Sequence, residues 1–161
     1  LRMRDVSSPV EHFDGLAIPK KVINHYAVQN VGRTPVVIKF IRTAGACLSS
    51  IDGIDFEEFT RRIRREPWLN QTSTFLPAGE SIGTEGTASS PVGFAPTEWT
   101  LDQIQSYFSN GQPYAFLVII GYETIHGQRR RFASVAVRRS GIERMEVLAA
   151  GSNPFDEAEP E

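Results

Sequence analysis

Two apolar runs, Tyr114 to Ile125 and Arg131 to Val137, flank His126-Gly127-Gln128, and a pair of such runs around a short glycine-containing turn predicts a β-hairpin. Side chains alternate along a strand. Ala115, Leu117, Ile119, Gly121, Glu123 and Ile125 therefore share one face, and Tyr114, Phe116, Val118, Ile120, Tyr122 and Thr124 share the other. Both sets are apolar for most of their length, which predicts a strand covered on both faces. In the return arm Phe132, Ser134, Ala136 and Arg138 alternate with Arg131, Ala133, Val135 and Val137. The hairpin is expected at the centre of a sheet, with the rest of the chain arranged around it.

Residues 1–19 mix charges with Pro9, Gly15 and Pro19 and read as an irregular lead-in with one short strand near Glu11 to Phe13. From Lys21 to Val31, Val22, Asn24, Tyr26 and Val28 alternate with Ile23, His25, Ala27 and Gln29, a strand pattern. It ends in a turn at Asn30 to Pro35, where Gly32 can supply a positive φ and Pro35 holds Thr34 extended. A β-branched and aromatic strand follows from Val36 to Thr43. The period then changes: Phe56, Phe59 and Ile63 form one stripe of a helix over Asp55 to Arg65, with acids early and arginines late as the helix dipole favours. Pro67 limits it.

Short strands at Ser73 to Leu76 and Glu80 to Gly83 surround the Pro77-Ala78-Gly79 turn, and Gly83 to Pro96 reads as a surface loop. Thr100 with Gln103, Trp99 with Ile104, and Gly111 carry the cap, staple and stop signals of a second helix. Ile142 to Ala149 is a last strand, and residues 151–161 read as an acidic, disordered tail. The sum is a mainly β chain: an antiparallel immunoglobulin-like β-sandwich over residues 20–150, with two short helices in the connections. The alternative is an α+β domain with both helices on one sheet.

A chain of 161 residues can bury a core without disulfide or metal. Its 17 basic and 19 acidic side chains give no field that would argue for nucleic acid. The acids are uneven, with four among residues 156–161, leaving 17 basic against 15 acidic in residues 1–155. Cys47 is the single cysteine and says nothing of redox compartment. No run reaches the roughly 18 to 20 apolar residues of a membrane helix, and no signal peptide opens the chain. Because the chain starts at Leu1, a fragment or processed form is expected.

Candidate chemistry is sparse. Asn30, Arg33 and Thr34 sit where a ligand could meet a sandwich end, although Asn and Thr in such turns more often satisfy local backbone. His12, His25, His126 and Cys47 have no metal-ligand spacing, so no metal and no cofactor is expected. Arg129, Arg130 and Arg131 at the hairpin tip alternate in direction and read as solvated faces. Glu123 is the one acid inside the central strand. It reads as the partner of an arginine on the neighbouring strand, or, in a hydrolase, as an acid/base.

Val28-Gln29-Asn30-Val31-Gly32-Arg33-Thr34-Pro35-Val36 resembles the Asn-x-Gly-x-Thr-Pro-Ala stretch of uncharacterised bacterial membrane-anchored proteins that carry a β-sandwich after one or two membrane helices. The stretch from Gly111-Gln112-Pro113 through Gly121-Tyr122-Glu123-Thr124-Ile125-His126-Gly127 to Phe132 is similar to that family's Gly-x-x-x-Tyr-x-Asp-x-Phe-Gly hairpin, with Thr124 for aspartate and His126 for phenylalanine. Leu76-Pro77-Ala78-Gly79-Glu80 is a third match. The resemblance implies a sandwich fold and attachment to a membrane through a segment outside this chain, and carries no established activity; a cytoplasmic protein is the alternative. The expectation is a non-enzymatic binding or scaffold module that contacts a protein or membrane-surface component, with Asn30, Arg33, Thr34, Glu123, His126 and Arg129 as candidate contacts. A small hydrolase using Glu123 is the alternative.

Overall fold

The computed structural model describes residues 1–7, 10–13, 16–47, 56–88, 113–138, 145–148 and 155–160. In chain order these form β1 Arg2–Ser7, β2 Val10–Phe13, β3 Leu16–Gln29, β4 Val36–Cys47, α1 Phe56–Arg65, β5 Thr74–Leu76, β6 Ser81–Ala88, β7 Tyr114–Thr124, β8 Arg129–Arg138, β9 Glu146–Val147 and β10 Phe155–Ala158. The chain is mainly β, and every strand pairing is antiparallel among the described residues. In the first sheet the long β3 pairs with β1 and β2 and with β6; the second runs β10-β8-β7-β4-β5, with β9 also on β8.

The alternation in the hairpin decides how these layers stack. Tyr114, Phe116, Val118, Ile120 and Tyr122 of β7, with Phe132 and Ala136 of β8, share a core with Met3, Val6, Tyr26 and Val28 of the first sheet. Tyr26 and Phe116 meet across it with ring centroids 5.4 Å apart. On the opposite face Ala115, Leu117, Ile119, Ala133, Val135 and Val137 build a second core with Phe40, with Ile63 of α1 and with Phe155 of β10. The second sheet is thus covered by the first sheet on one side and by α1 and the segment after it, with Trp68 and Leu69, on the other. That is why β7 is apolar on both faces.

Two irregularities keep the faces in phase. Ile38 pairs with Tyr122 but Phe40 pairs with Gly121, so Lys39 is an extra residue in β4, a bulge. Its carbonyl accepts the N–H groups of Gln71 and Thr72, both at 2.9 Å. The bulge turns Phe40 to the α1 side, where its ring lies over Gly121 in the space a side chain there would need. In β1 the pairing shifts between Arg4 and Ser7, and Asp5 takes φ +52°. Met3 and Val6, three residues apart, therefore both face the core.

Several expectations change. In the expected lead-in the short strand near Glu11 to Phe13 is present as β2, but Arg2–Ser7 is not irregular: it forms β1, which like β2 pairs along β3, and simple alternation misses β1 because its two core residues are out of step by one. The surface loop from Gly83 begins as strand, because β6 pairs with β3 from Gln29↔Ser81 to Val22↔Ala88; backbone hydrogen bonds hold a run that is poor in apolar side chains. Residues 155–158 of the acidic tail form β10, anchored by Phe155 at 4% exposure. Gly32 does not take the expected positive φ, which is confined to Gly79 and Gly127 among the described glycines. The predicted second helix, the rest of the Gly83 to Pro96 loop and half of Ile142 to Ala149 lie outside the described residues; the expected strand there is present as β9.

Replacing Gly121 by alanine would drive a methyl group into the Phe40 ring. Gly121→Ala is expected to lower unfolding free energy by about 1–3 kcal/mol, measured by denaturant titration. An unchanged midpoint would mean that the ring is free to move aside.

Candidate functional site

Asn30 is 2% exposed and ties two turns together. Its Nδ2 donates to the carbonyls of Thr34 at 2.8 Å and Leu76 at 3.2 Å, while its Oδ1 accepts the Gly32 N–H at 3.0 Å. Its backbone N–H donates to Glu80 O, and its carbonyl accepts the Gly79 N–H. The side chain is thus occupied by backbone groups, the local role that Asn plays in such turns. Thr34 contributes a carbonyl, and both Thr34 and Arg33 are exposed.

Glu123 and Arg129 are brought together. They are cross-strand partners in the hairpin, with Arg129 Nε 3.6 Å from Glu123 Oε1, and Lys39 Nζ lies 3.6 Å from Oε2. The Arg129 guanidinium also stands 5.1 Å from the Trp68 ring centroid, within cation–π range. The bulge and the hairpin register together assemble this cluster. His126 is exposed on the turn, which Gly127 closes at φ +77°, and His25 is exposed on β3 of the other sheet. The Glu123 carboxylate is clamped between two cations. The pocket described below is lined by neither Glu123 nor a histidine among the described residues.

The residue that the reading of the hairpin-tip arginines as solvated misplaces is Arg131. It was expected on a solvated face and is 3% exposed, in phase with Ala133, Val135 and Val137 on the α1 side. Its Nη1 donates to Ile63 O and Glu66 O, each at 2.5 Å. A helix end leaves its last carbonyls without intrahelical partners and carries partial negative charge, so the buried cation caps α1. Its Nε lies 2.5 Å from Glu159 Oε1, a charge contact out of line with the N–H, which has no in-line acceptor. The guanidinium is 6.0 Å from the Phe40 ring centroid, and Phe40 meets Trp68 edge-on at 5.3 Å.

Around Arg131 the tail and α1 border an open pocket of about 280 Å³, lined by Arg64, Arg131, Phe155, Glu157, Ala158, Glu159 and Pro160. Arg64 grips Glu157 with two hydrogen bonds, of 2.6 and 3.0 Å. On the other face of β10, Asp156 accepts hydrogen bonds from Tyr122 Oη at 2.8 Å and Arg130 Nε at 3.0 Å. Three tail acids thus meet three arginines. One signal for this was available: an arginine in step with an apolar face must find partners, and the acids of residues 156–161 are the unspent charge. The described residues hold no cluster of His, Cys, Asp and Glu able to bind a metal.

Burial, then the Asp156 charge and its hydrogen bond, push the Tyr122 phenol up to about 12, against a smaller opposing effect of Arg130. The proton on Tyr122 is held more tightly in the folded state than in the unfolded one. Its contribution is complete below pH ~10, the ordinary tyrosine value, and is lost as pH rises through about 12. Absorbance at 295 nm is expected to lose a component titrating near 12 in Tyr122→Phe; a high-pH titration unchanged by that substitution would refute the buried contact. Arg131→Ala, which takes the guanidinium from Glu66 O and leaves Ile63 O with the Glu66 N–H alone, is expected to cost about 1–3 kcal/mol. Arg131→Lys should recover only part, since an ammonium lacks the planar fork; denaturant titration of both variants checks this.

No protein-family model, no curated protein and no solved structure matches this chain, and its chemistry rests on these side chains.

Proposed function

We propose that this chain is a non-enzymatic binding module: an immunoglobulin-like domain, held at a bacterial membrane by a segment outside this chain, that contacts another protein or a surface component. The observation that carries the reading is Phe75, which is 60% exposed on β5, the three-residue edge strand of the second sheet. It pairs with Val37, Val37 with Glu123, and Glu123 with Arg129. One cross-strand row therefore carries an exposed aromatic at one end and a clamped charge pair at the other. Interface centres favour aromatic residues and arginine within a polar rim, and an edge strand offers backbone groups for pairing.

The placing of Glu123 between Lys39 and Arg129 supports recognition, because it sets charges of both signs in the same row as the exposed aromatic. Ile125, 53% exposed at the hairpin end, extends the apolar part of this surface. The resemblance of the Asn30 turn and of the hairpin to bacterial membrane-anchored proteins supports the attachment. The immunoglobulin-like assignment draws on two antiparallel sheets that share a core.

A photo-reactive side chain at position 75, in a chain expressed with its native upstream segment, is expected to capture one protein partner. Phe75→Ser and Arg129→Glu should each weaken that partner's binding to the purified chain by about tenfold or more, in the range of an interface hot spot, with thermal midpoints little changed. Binding that survives both substitutions, or capture of lipid alone, would overturn this contact surface.

A further inference from the structure

We propose that β10 and α1 form one latch over β8 that closes and opens as a unit, so that attachment of the C-terminal strand decides whether the helix stays on the sheet. The two elements lie far apart in the chain, and each rests on the other. Arg131 joins them: the same buried guanidinium donates to Ile63 O and Glu66 O at the end of α1 and lies 2.5 Å from Glu159 Oε1 in the tail. Arg64 of the helix holds Glu157 of the strand through two hydrogen bonds and stands 5.8 Å from the Phe155 ring centroid. Phe155 and Ile63 belong to one core with Ala133, Val135 and Val137 of β8.

Either half alone is poorly supported. A helix of ten residues is marginal in water without tertiary packing, and β10 has four residues, of which Phe155 is the buried one. With the strand gone and the helix in place, Arg131 would lose its carboxylate while still covered by α1. With the helix gone and the strand in place, it would lose both carbonyls, and Glu157 would lose Arg64. A cation that keeps part of its burial and only part of its partners is less favourable than one fully surrounded or fully in water. The half-open states are therefore the disfavoured ones, which is the condition for a cooperative unit.

The latch also reaches the hairpin end. The Glu159 N–H donates to Arg129 O at 2.9 Å, and Trp68, in the segment after α1, meets the Arg129 guanidinium. Both halves thus bear on the row that ends at Arg129, and opening would release that end of the proposed contact surface. This last consequence rests on the contact surface; the coupling of β10 to α1 does not.

Native-state hydrogen exchange of the full chain, followed by mass spectrometry at rising denaturant, tests the coupling without any partner. Amides of residues 56–66 and 155–160 are expected to share one opening, at lower denaturant than those of β7, which is paired on both sides. Asp156 offers a handle on the face of β10 away from the helix, since it meets Tyr122 and Arg130 and neither belongs to α1. Asp156→Ala is expected to speed exchange about tenfold in the strand and, through it, in α1, with β7 unchanged. Separate openings in the unaltered chain, an α1 that keeps its rate in Asp156→Ala, or elements that open only together with β7 would each overturn the proposal. Should Asp156→Ala not fold, the denaturant series on the unaltered chain decides by itself: one shared opening below that of β7 supports the latch, and any other pattern overturns it.

Discussion

A guanidinium taken out of water must be surrounded by acceptors or it destabilises the fold that buries it, and Arg131 meets that constraint by gathering three parts of the chain. It reaches the last carbonyls of α1, the tail carboxylate of Glu159 and the ring of Phe40. The position of α1 on the second sheet follows from this as much as from Ile63, because the helix end cannot move away without stranding both the cation and its own carbonyls. Phe40 is on that side through the Lys39 bulge, and the bulge is closed by the chain that follows α1. One buried charge thus links a sheet irregularity, a helix end and the C-terminal strand.

The same organisation separates two kinds of charge on this sheet. On the α1 side, Arg131 and Arg64 with the tail acids hold elements together, and their partners come from far along the sequence. Nearer the hairpin turn, Glu123 and Arg129 are neighbours across a strand pair, with Lys39 and Trp68 beside them. Exposed pairs of that kind add little to stability. They shape a surface, with the exposed Phe75 in the same cross-strand row.

Much of the fold was legible locally. The hairpin and its double-sided burial follow from alternation in Tyr114 to Ile125 and Phe132 to Val137; the helix follows from Phe56, Phe59 and Ile63; the Asn30 turn follows from its residue types. Among the candidate contacts, the pairing of Glu123 with an arginine on the next strand was legible for the same reason, since both lie within one hairpin. What was not legible depended on an offset or on a distant partner. Asp5 and Lys39 each insert a residue, which shifts the phase on which alternation rests. The tail has one apolar anchor, Phe155, too few for a periodic signal, and its acids read as solvating until the arginines they meet are known.

The sequence by itself determined the antiparallel hairpin at the centre, the apolar character of both its faces and the strands with regular alternation, because these are set by side chains within a few residues of one another. Only the tertiary structure decided which of three consecutive arginines is buried, that the acidic tail is a strand, and that Glu123 shares its carboxylate between Arg129 and Lys39. The physical reason is common to all three: a charge takes its state from what surrounds it, and those surroundings are assembled from residues tens of positions away.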